Sequence, residues 1–461
     1  MTVHRAQPDR NGVLALIGNT PVVEILKLDT GPCRLFVKLE NQNPGGSIKD
    51  RVATSMIEAA ERDGRLTPGS TIIEATAGNT GLGLALVAAQ KGYRLILIVP
   101  DKMAREKVLH LKALGAEVRI TRSDVPKGHP DYYQDIAERL AAEIPGAFYA
   151  NQFGNPANPL AHETTTGPEL WDQLGHDVDA VVAGVGSGGT ITGVGRFLKK
   201  VSPQTEMVLA DPEGSVLAHY LATGELIEAG SWRVEGIGED FVPPVSDLGL
   251  VGRAYTITDA ESFSTARDLL LHEGILAGSS SGTLVAAALR YCREQTVPKR
   301  VATFICDSGN KYLSKMFNDI WLIDEGFSKR DATGTVRDLV TRGFDSGGTI
   351  VVGPNDTLRT AFNRMRAADV SQLPVVEGGR VVGLIDESDI LNVIATGTPS
   401  FARPVADAMV RDLVITPAAS PIAALNELFE QDRVAIVVDG ERFVGLVTRV
   451  DLINHLRLRT A

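Results

Sequence analysis

Seven strand-like runs between residues 34 and 307, most of them continuously apolar, constrain this chain more than any other feature. They read RLFVKLE (34–40), STIIEAT (70–76), RLILIVP (94–100), AEVRIT (116–121), AVVAGVG (180–186), MVLADP (207–212) and RVATFICD (300–307). A strand with one wet face alternates apolar and polar residues. A run that is apolar throughout needs cover on both faces, as in a parallel sheet sandwiched by helices. Helical patterns lie between the runs. One of them, TGLGLALVAAQKG (80–92), ends at Gly92, a residue suited to the left-handed position just past a helix. The expected fold class is α/β with a largely parallel sheet. Ligands of such folds bind in loops at the carboxyl ends of the strands.

The texture changes after residue 327. The segment LPVVEGGRVVGLIDESDIL (373–391) aligns without gaps to AIVVDGERFVGLVTRVDLI (435–453), an offset of 62 residues. Each copy reads strand, turn, strand, helix, so two small subdomains are expected as a pair. Such a pair serves either assembly or ligand binding. The expected organisation is a two-lobed domain over 1–328, a linker over 329–344, and small domains over 345–398 and 399–461.

A chain of 461 residues has room for about three domains. The net charge of −11 and the lack of a basic block argue against nucleic acid as a partner. Cys33, Cys292 and Cys306 form no CxxC pair, which argues against a disulfide framework or a thiolate metal site, and no metal is expected. A reducing, cytoplasmic setting fits. The start, MTVHRAQPDRNG, has no apolar core of a signal peptide, and no run reaches membrane-spanning length.

Four loops have the composition of binding sites. GVGSGGTITGVGRF (184–197) leads a buried strand through glycines into a helix, the arrangement of an anion site. Gly184, Gly186 and Gly189 also satisfy GxGxxG, with Asp211 near the spacing of a ribose-binding acid, so a dinucleotide competes with a simple phosphate, and a bare tight turn with both. EATAGNTGLGLA (74–85) gathers hydroxyls and N–H groups suited to a carboxylate, or only caps a helix through Asn79 or Thr80. Ser279, Ser280 and Ser281 in ILAGSSSGT raise the same two readings. In NPGGSIKDRVA (43–53), Lys49 is expected as the second residue of a helix, where a cation is disfavoured. Either Ser47 and Asp50 form a capping box and Lys49 is incidental, or the helix end and burial lower its pKa and leave a neutral amine able to bind a carbonyl.

NPGGSIKDR, TAGNTGLGLA, GVGSGGT and GSSSGT appear in the order seen in pyridoxal-phosphate enzymes of the tryptophan-synthase-β type. Within these the chain resembles the cystathionine β-synthase family, through NQFGNPANPLAH, ADPEGSVLA, VEGIGEDFVP and the C-terminal repeat. The resemblance implies a two-lobed fold-type-II core followed by a tandem pair of CBS domains (a Bateman module). It implies that pyridoxal 5′-phosphate is held by Lys49, which later removes the Cα proton. Asn79 would donate to the ring 3′-oxygen. Gly186, Ser187, Gly188, Gly189 and Thr190 would cradle the phosphate, and Ser280 would meet the ring nitrogen. The substrate would lie among Ser47, Thr76, Ala77, Gly78, Asn79, Thr80, Gln152, Gly236 and Glu239.

The reaction implied is β-replacement, in which L-serine loses its hydroxyl to leave an aminoacrylate and L-homocysteine adds to give L-cystathionine, with ping-pong kinetics. A serine at the ring nitrogen, unlike an aspartate, cannot keep it protonated, which favours prompt loss of the β-substituent. A cysteine synthase or a hydrogen-sulfide-producing relative, using O-acetylserine or cysteine, is the alternative. Three departures from the animal enzymes stand out. No haem is expected, because few residues precede VLALIGNTPVV. Glu239 and Phe153 each stand where those enzymes have tyrosine. In the repeats, Thr448 and Asp451 match the family's ribose-binding pattern, so an adenosyl ligand, S-adenosylmethionine or a nucleotide, is implied there. The first repeat has Asp386 and Asp389 instead. Homodimers or higher homo-oligomers are expected, with no nucleic acid or membrane partner.

Overall fold

The computed structural model describes residues 11–460 apart from 77, 102, 104, 126, 127, 329–332, 397–399 and 432. The chain divides into two compact units, Met1–Phe317 and Asn318–Ala461.

In the first unit the strands are β1 (Val22–Glu24), β2 (Arg34–Lys38), β3 (Thr71–Ala75), β4 (Arg94–Pro100), β5 (Glu117–Thr121), β6 (Phe148–Tyr149), β7 (Ala180–Gly184), β8 (Glu206–Pro212), β9 (Val251–Ile257) and β10 (Arg300–Phe304). One sheet has the order β1-β2-β10-β7-β8-β9 and the other β5-β4-β3-β6. Every pairing is parallel except β1 with β2. All seven runs are strands, and β3 is buried at every position, as a strand covered on both faces must be. The strands not expected from sequence are β1, β6 and β9. The first two are very short, and β9 lies at a sheet edge, where the half-exposed or exposed Arg253, Tyr255 and Thr256 interrupt the apolar pattern. The helix Asn79–Lys91 ends as expected. Gly92 adopts φ 76°, and its N–H donates to the Ala88 carbonyl.

The two sheets turn the carboxyl ends of β3, β6, β7 and β10 toward one cavity, whose lining follows each of these strands. The helix Lys49–Arg62 packs against Asn79–Lys91 at very short range. A Cβ on Gly83 would lie 2.8 Å from the Lys49 carbonyl oxygen.

The second unit repeats itself. Strands β11 (Gln372–Glu377) and β12 (Arg380–Asp386) pair antiparallel ahead of the helix Glu387–Thr396. After β13 (Ile415–Pro417), strands β14 (Ala435–Asp439) and β15 (Arg442–Val447) do the same ahead of Arg449–Thr460. The duplication extends to a local irregularity. The ladder slips between Val375 and Val376 in one copy and between Val437 and Val438 in the other. Each copy has its own core, one around Leu358, Leu373, Val375 and Ile385, the other around Leu425, Ala435, Val437 and Val447. The segment expected as a linker, 329–344, is not all connector. Val336, Leu339 and Val340 are buried in the second of these cores; residues 329–332 lie outside the described part of the chain.

Candidate active site

A cavity of about 230 Å³ is lined by Lys49, Thr76, Gly78, Asn79, Thr80, Gln152, residues 186–190, Gly236, Glu239 and Ser280. Nearly every expected site residue is therefore in one place. Ala77 lies outside the described residues. Ser47 is a correction. It is fully buried outside the lining, and its Oγ accepts from the Lys49 N–H at 3.3 Å.

Lys49 is the first residue of its helix rather than the second, and the N-cap Ile48 makes no side-chain cap. Ser47 caps the helix start through the Lys49 N–H, but the reciprocal half of the capping box does not form. The Asp50 carboxylate reaches past Ser47 to the Gly45 N–H at 2.5 Å. Burial lowers the Lys49 pKa, opposed by the nearby Cys306 and Asp307. The awkward lysine therefore ends in the cavity with its ammonium form disfavoured.

The capping readings of the other loops fail. The N-caps are Gly78 and Gly278, with no side-chain cap at either helix. The Asn79 amide is instead held at both ends. Its Nδ2 donates to Asp307 at 2.8 Å and its Oδ1 accepts from Lys311 at 2.6 Å. Asp307 also accepts from the Tyr312 hydroxyl at 2.8 Å. The Thr80 hydroxyl donates to Gln152 at 2.6 Å. The Glu74 carboxylate, raised to about 7 by burial, accepts from the Gln152 N–H. Of the three serines, Ser279 Oγ accepts from the Glu235 N–H and Ser281 Oγ from the Cys306 N–H, while Ser280 lines the cavity.

The glycine loop is an anion site by its backbone. Among the described residues, the N–H groups of residues 186–190 donate to no protein acceptor. They lie at the start of the helix Gly189–Val201. Gly188 has φ 85°, and a Cβ there would come within 1.8 Å of Ser246 Oγ, a buried hydroxyl with no partner among the described residues. Cβ atoms on Gly186 and Gly189 would strike the Gly236 carbonyl and Asn158. These glycines are thus required by the packing of the chain around the loop as well as by any ligand. Asp211, the acid a dinucleotide would need, is buried and accepts from the Ala218 N–H, and it does not line the cavity.

Sequence reasoning missed Asp307, Lys311, Tyr312 and Ser246. Asp307 ends the run RVATFICD, so its place at the carboxyl end of a strand was the available signal. It also missed a buried ion network behind Lys49. Arg51 bridges Glu40 (2.7 Å) and Glu169 (2.6 Å), and Lys38 joins Glu169 at 3.0 Å. The Arg51 guanidinium holds Glu40 down at about 2 despite full burial. The cysteines, distant in sequence, are free. Cys33 Sγ lies 3.6 Å from the Cys292 carbonyl oxygen.

A family profile described as pyridoxal-phosphate dependent enzyme matches residues 13–307, and CBS-domain profiles match 336–396 and 405–458. Proteins named cystathionine beta-synthase are similar along nearly the whole chain. That of Oryctolagus cuniculus is 36% identical over 97% of this chain and 85% of its own. That of Dictyostelium discoideum is 36% identical over 97% and 92%, and that of Saccharomyces cerevisiae 35% over 99% and 100%. The chain belongs to the cystathionine beta-synthase family of pyridoxal-phosphate-dependent enzymes. Solved structures similar to this chain include a hydrogen sulfide-producing enzyme from Fusobacterium nucleatum, 36% identical with a TM-score of 0.62 over 66% of this chain and 100% of that one. An O-ureido-L-serine synthase is 35% identical with a TM-score of 0.62 over 68% and 100%.

The residues present fit the family's cofactor. Unpaired N–H groups at a helix start suit its phosphate, an amine of lowered pKa suits its carbonyl, and an uncharged hydroxyl stands at Ser280. Among the described residues, no helix is long and apolar enough to cross a membrane.

Proposed function

We propose that this protein condenses L-serine with L-homocysteine to L-cystathionine and water. The observation that carries the reading is the match to relatives named cystathionine beta-synthase along both the catalytic core and the repeated domains. The two structural neighbours bear other names and keep a cysteine synthase or hydrogen-sulfide reading as the alternative.

When bound, pyridoxal phosphate withdraws electrons from the substrate Cα, which acidifies its proton and lets the β-hydroxyl leave. The chain supplies the rest. Lys49, with its ammonium form disfavoured, offers the amine that binds the carbonyl and afterwards takes the Cα proton. The N–H groups of residues 186–190 fix the phosphate. Asn79 keeps one Nδ2–H free for the ring oxygen, because Asp307 uses only the other. Ser280 meets the ring nitrogen without adding charge. Thr76, Ala77, Asn79, Thr80 and Gln152 take the substrate carboxylate; Ser47, buried outside the cavity lining, is left out. In this reading the protein is a cytoplasmic homodimer or higher homo-oligomer.

The repeated domains bind an adenosyl ligand in this reading, with Thr448 and Asp451 at the ribose. Thr448 Oγ1 and its N–H both donate to Asp451 at 2.7 Å, starting the final helix, so a ribose would have to compete with that cap. In the first copy Asp386 and Asp389 cap each other reciprocally. Calorimetry with S-adenosylmethionine and with adenine nucleotides tests this part. Heat that disappears in Asp451→Ala supports it, and no heat from any of them leaves the pair as an assembly element. The reaction is tested by product analysis with serine, O-acetylserine and cysteine as competing first substrates. Preference for serine supports the reading, and turnover with O-acetylserine alone favours the alternative.

A further inference from the structure

A second chamber of about 410 Å³ shares Thr76, Gln152, Phe153, Trp232 and Glu239 with the inner cavity. Glu239 thus borders both spaces. Its backbone is pinned: the Glu239 N–H donates to Ser215 Oγ at 3.1 Å, and its carbonyl accepts from the Val216 N–H at 3.1 Å. The loop before it is rigid too. Gly238 has φ 86° and packs so tightly that a Cβ would lie 2.5 Å from Pro212 and 2.9 Å from Trp232. Yet the half-buried carboxylate itself makes no hydrogen bond or ion pair among the described residues. A rigid loop that presents an unengaged carboxylate between two chambers is not a solvated rim.

We propose that Glu239 accepts the thiol proton of the second amino acid as that substrate approaches from the outer chamber. The proposal rests on the β-replacement reading. A thiol of ordinary acidity is mostly protonated at neutral pH, while the thiolate is the nucleophile. In the step, the S–H bond breaks and its proton passes to a Glu239 carboxylate oxygen. The freed sulfur electron pair forms the C–S bond at the β-carbon that serine's hydroxyl has left, the Cα–Cβ π bond breaks, and its electron pair takes back at Cα the proton held by Lys49, so no oxidant or reductant is needed. The rings of Phe153 and Phe241, 5.6 Å apart, give the outer chamber an apolar wall for the methylenes of homocysteine.

The electrostatics agree. Burial, then the charges of Asp240 and Asp211, push Glu239 up to about 8, close to a thiol, so the accepting carboxylate is the minor form at neutral pH and becomes the major one above pH 8, and the rate with the thiol should rise over that range. The other titratable groups facing it are the phenols of Tyr132 and Tyr133, both raised partly by its charge. Among the described residues lining the outer chamber the cation is Arg122, paired with Asp124 at 2.9 Å.

The test compares homocysteine with selenohomocysteine, whose selenol is already ionised at neutral pH, in the full-length holoenzyme at fixed serine. Glu239→Gln should lower kcat/KM by about 100-fold with the thiol, the lower range for general-base catalysis, and at most a few-fold with the selenol. Glu239→Asp should restore part of the thiol rate. Equal losses with both nucleophiles overturn the proposal alone. Wild-type protein that forms no thioether from either nucleophile overturns β-replacement itself, and this step with it. Cofactor-free protein gives a second readout. A carboxyl ¹³C resonance absent from Glu239→Gln should titrate near pH 8, and titration near the ordinary glutamate value of 4.5 overturns the proposal.

Discussion

Lys49 is disfavoured as an ammonium by burial and by its place at the start of a helix. A residue whose charge is unwelcome on two counts is poor at stability and good at carbonyl chemistry. Borohydride reduction of the holoenzyme should fix the cofactor to the peptide containing Lys49, and Lys49→Ala should lose both the attachment and turnover, as read by peptide mass spectrometry. Asn79 depends on residues that the sequence did not point to. Lys311 on its Oδ1 and Asp307 on its Nδ2 select one of the two amide orientations, the one that leaves a donor free. Lys311→Met removes a charged hydrogen bond worth about 1.5–3 kcal/mol. It should weaken cofactor binding by about 10-fold or more in equilibrium dialysis; unchanged affinity would mean that Asn79 needs no such hold. Lys49, Asn79 and Ser280 were legible because each belongs to a motif of contiguous residues. Asp307 was not, because its importance comes from partners as distant as Asn79, more than 200 residues earlier in the chain.

Between the residues and the site stand two helices. The helices Lys49–Arg62 and Asn79–Lys91 touch at Gly83, where an added Cβ would sit 2.8 Å from the Lys49 carbonyl oxygen and 3.1 Å from the Ala53 Cβ. Gly83→Ala must push them apart. It should cost about 1–3 kcal/mol of stability, the usual range for overpacking, and lower cofactor affinity as well, since Lys49 and Asn79 ride on the two helices. Denaturant titration and equilibrium dialysis measure both, and a variant with native affinity would separate the helix spacing from the site. The first helix is also tied down by Arg51. The folded-state value of Glu40, about 2 against an ordinary 4.5, means that its contribution is complete above pH 4.5 and lost as the pH falls toward 2. Glu40→Gln should therefore destabilise by about 3 kcal/mol at neutral pH and show less additional loss on acidification than the wild type in thermal melts. The strands were legible because continuous apolar runs have few other uses. The network was not, because buried Glu40, Arg51 and Glu169 look like surface charges until the fold brings them together.

Across the whole molecule, carboxylates of opposite character set a stability window. Asp50 and Glu74 are raised to about 7 by burial, so they cost stability progressively as the pH climbs from their ordinary values of 3.8 and 4.5 to about 7, above which the loss is complete. Glu40 acts in the opposite sense at acid pH. Maximal stability is expected near pH 4.5, with a decline toward pH 7, and a thermal-melting series across pH would contradict this by peaking at or above 7. The core of the duplication, 373–391 against 435–453, was legible in the sequence. The offset of 62 residues predicts the strand pairs and helices of both copies, and the bulge falls at the same offset in both ladders. The start of the repeated unit was less legible, because TVRDLV reads as a polar connector although Val336, Leu339 and Val340 are core. The central claim concerns what the catalytic unit makes. Its most direct test is mass spectrometry of the products formed by the cofactor-loaded full-length protein from L-serine and L-homocysteine. The account predicts stoichiometric L-cystathionine, with serine preferred over O-acetylserine. No cystathionine from serine, with product arising only from O-acetylserine or with sulfide released only from cysteine, would contradict it.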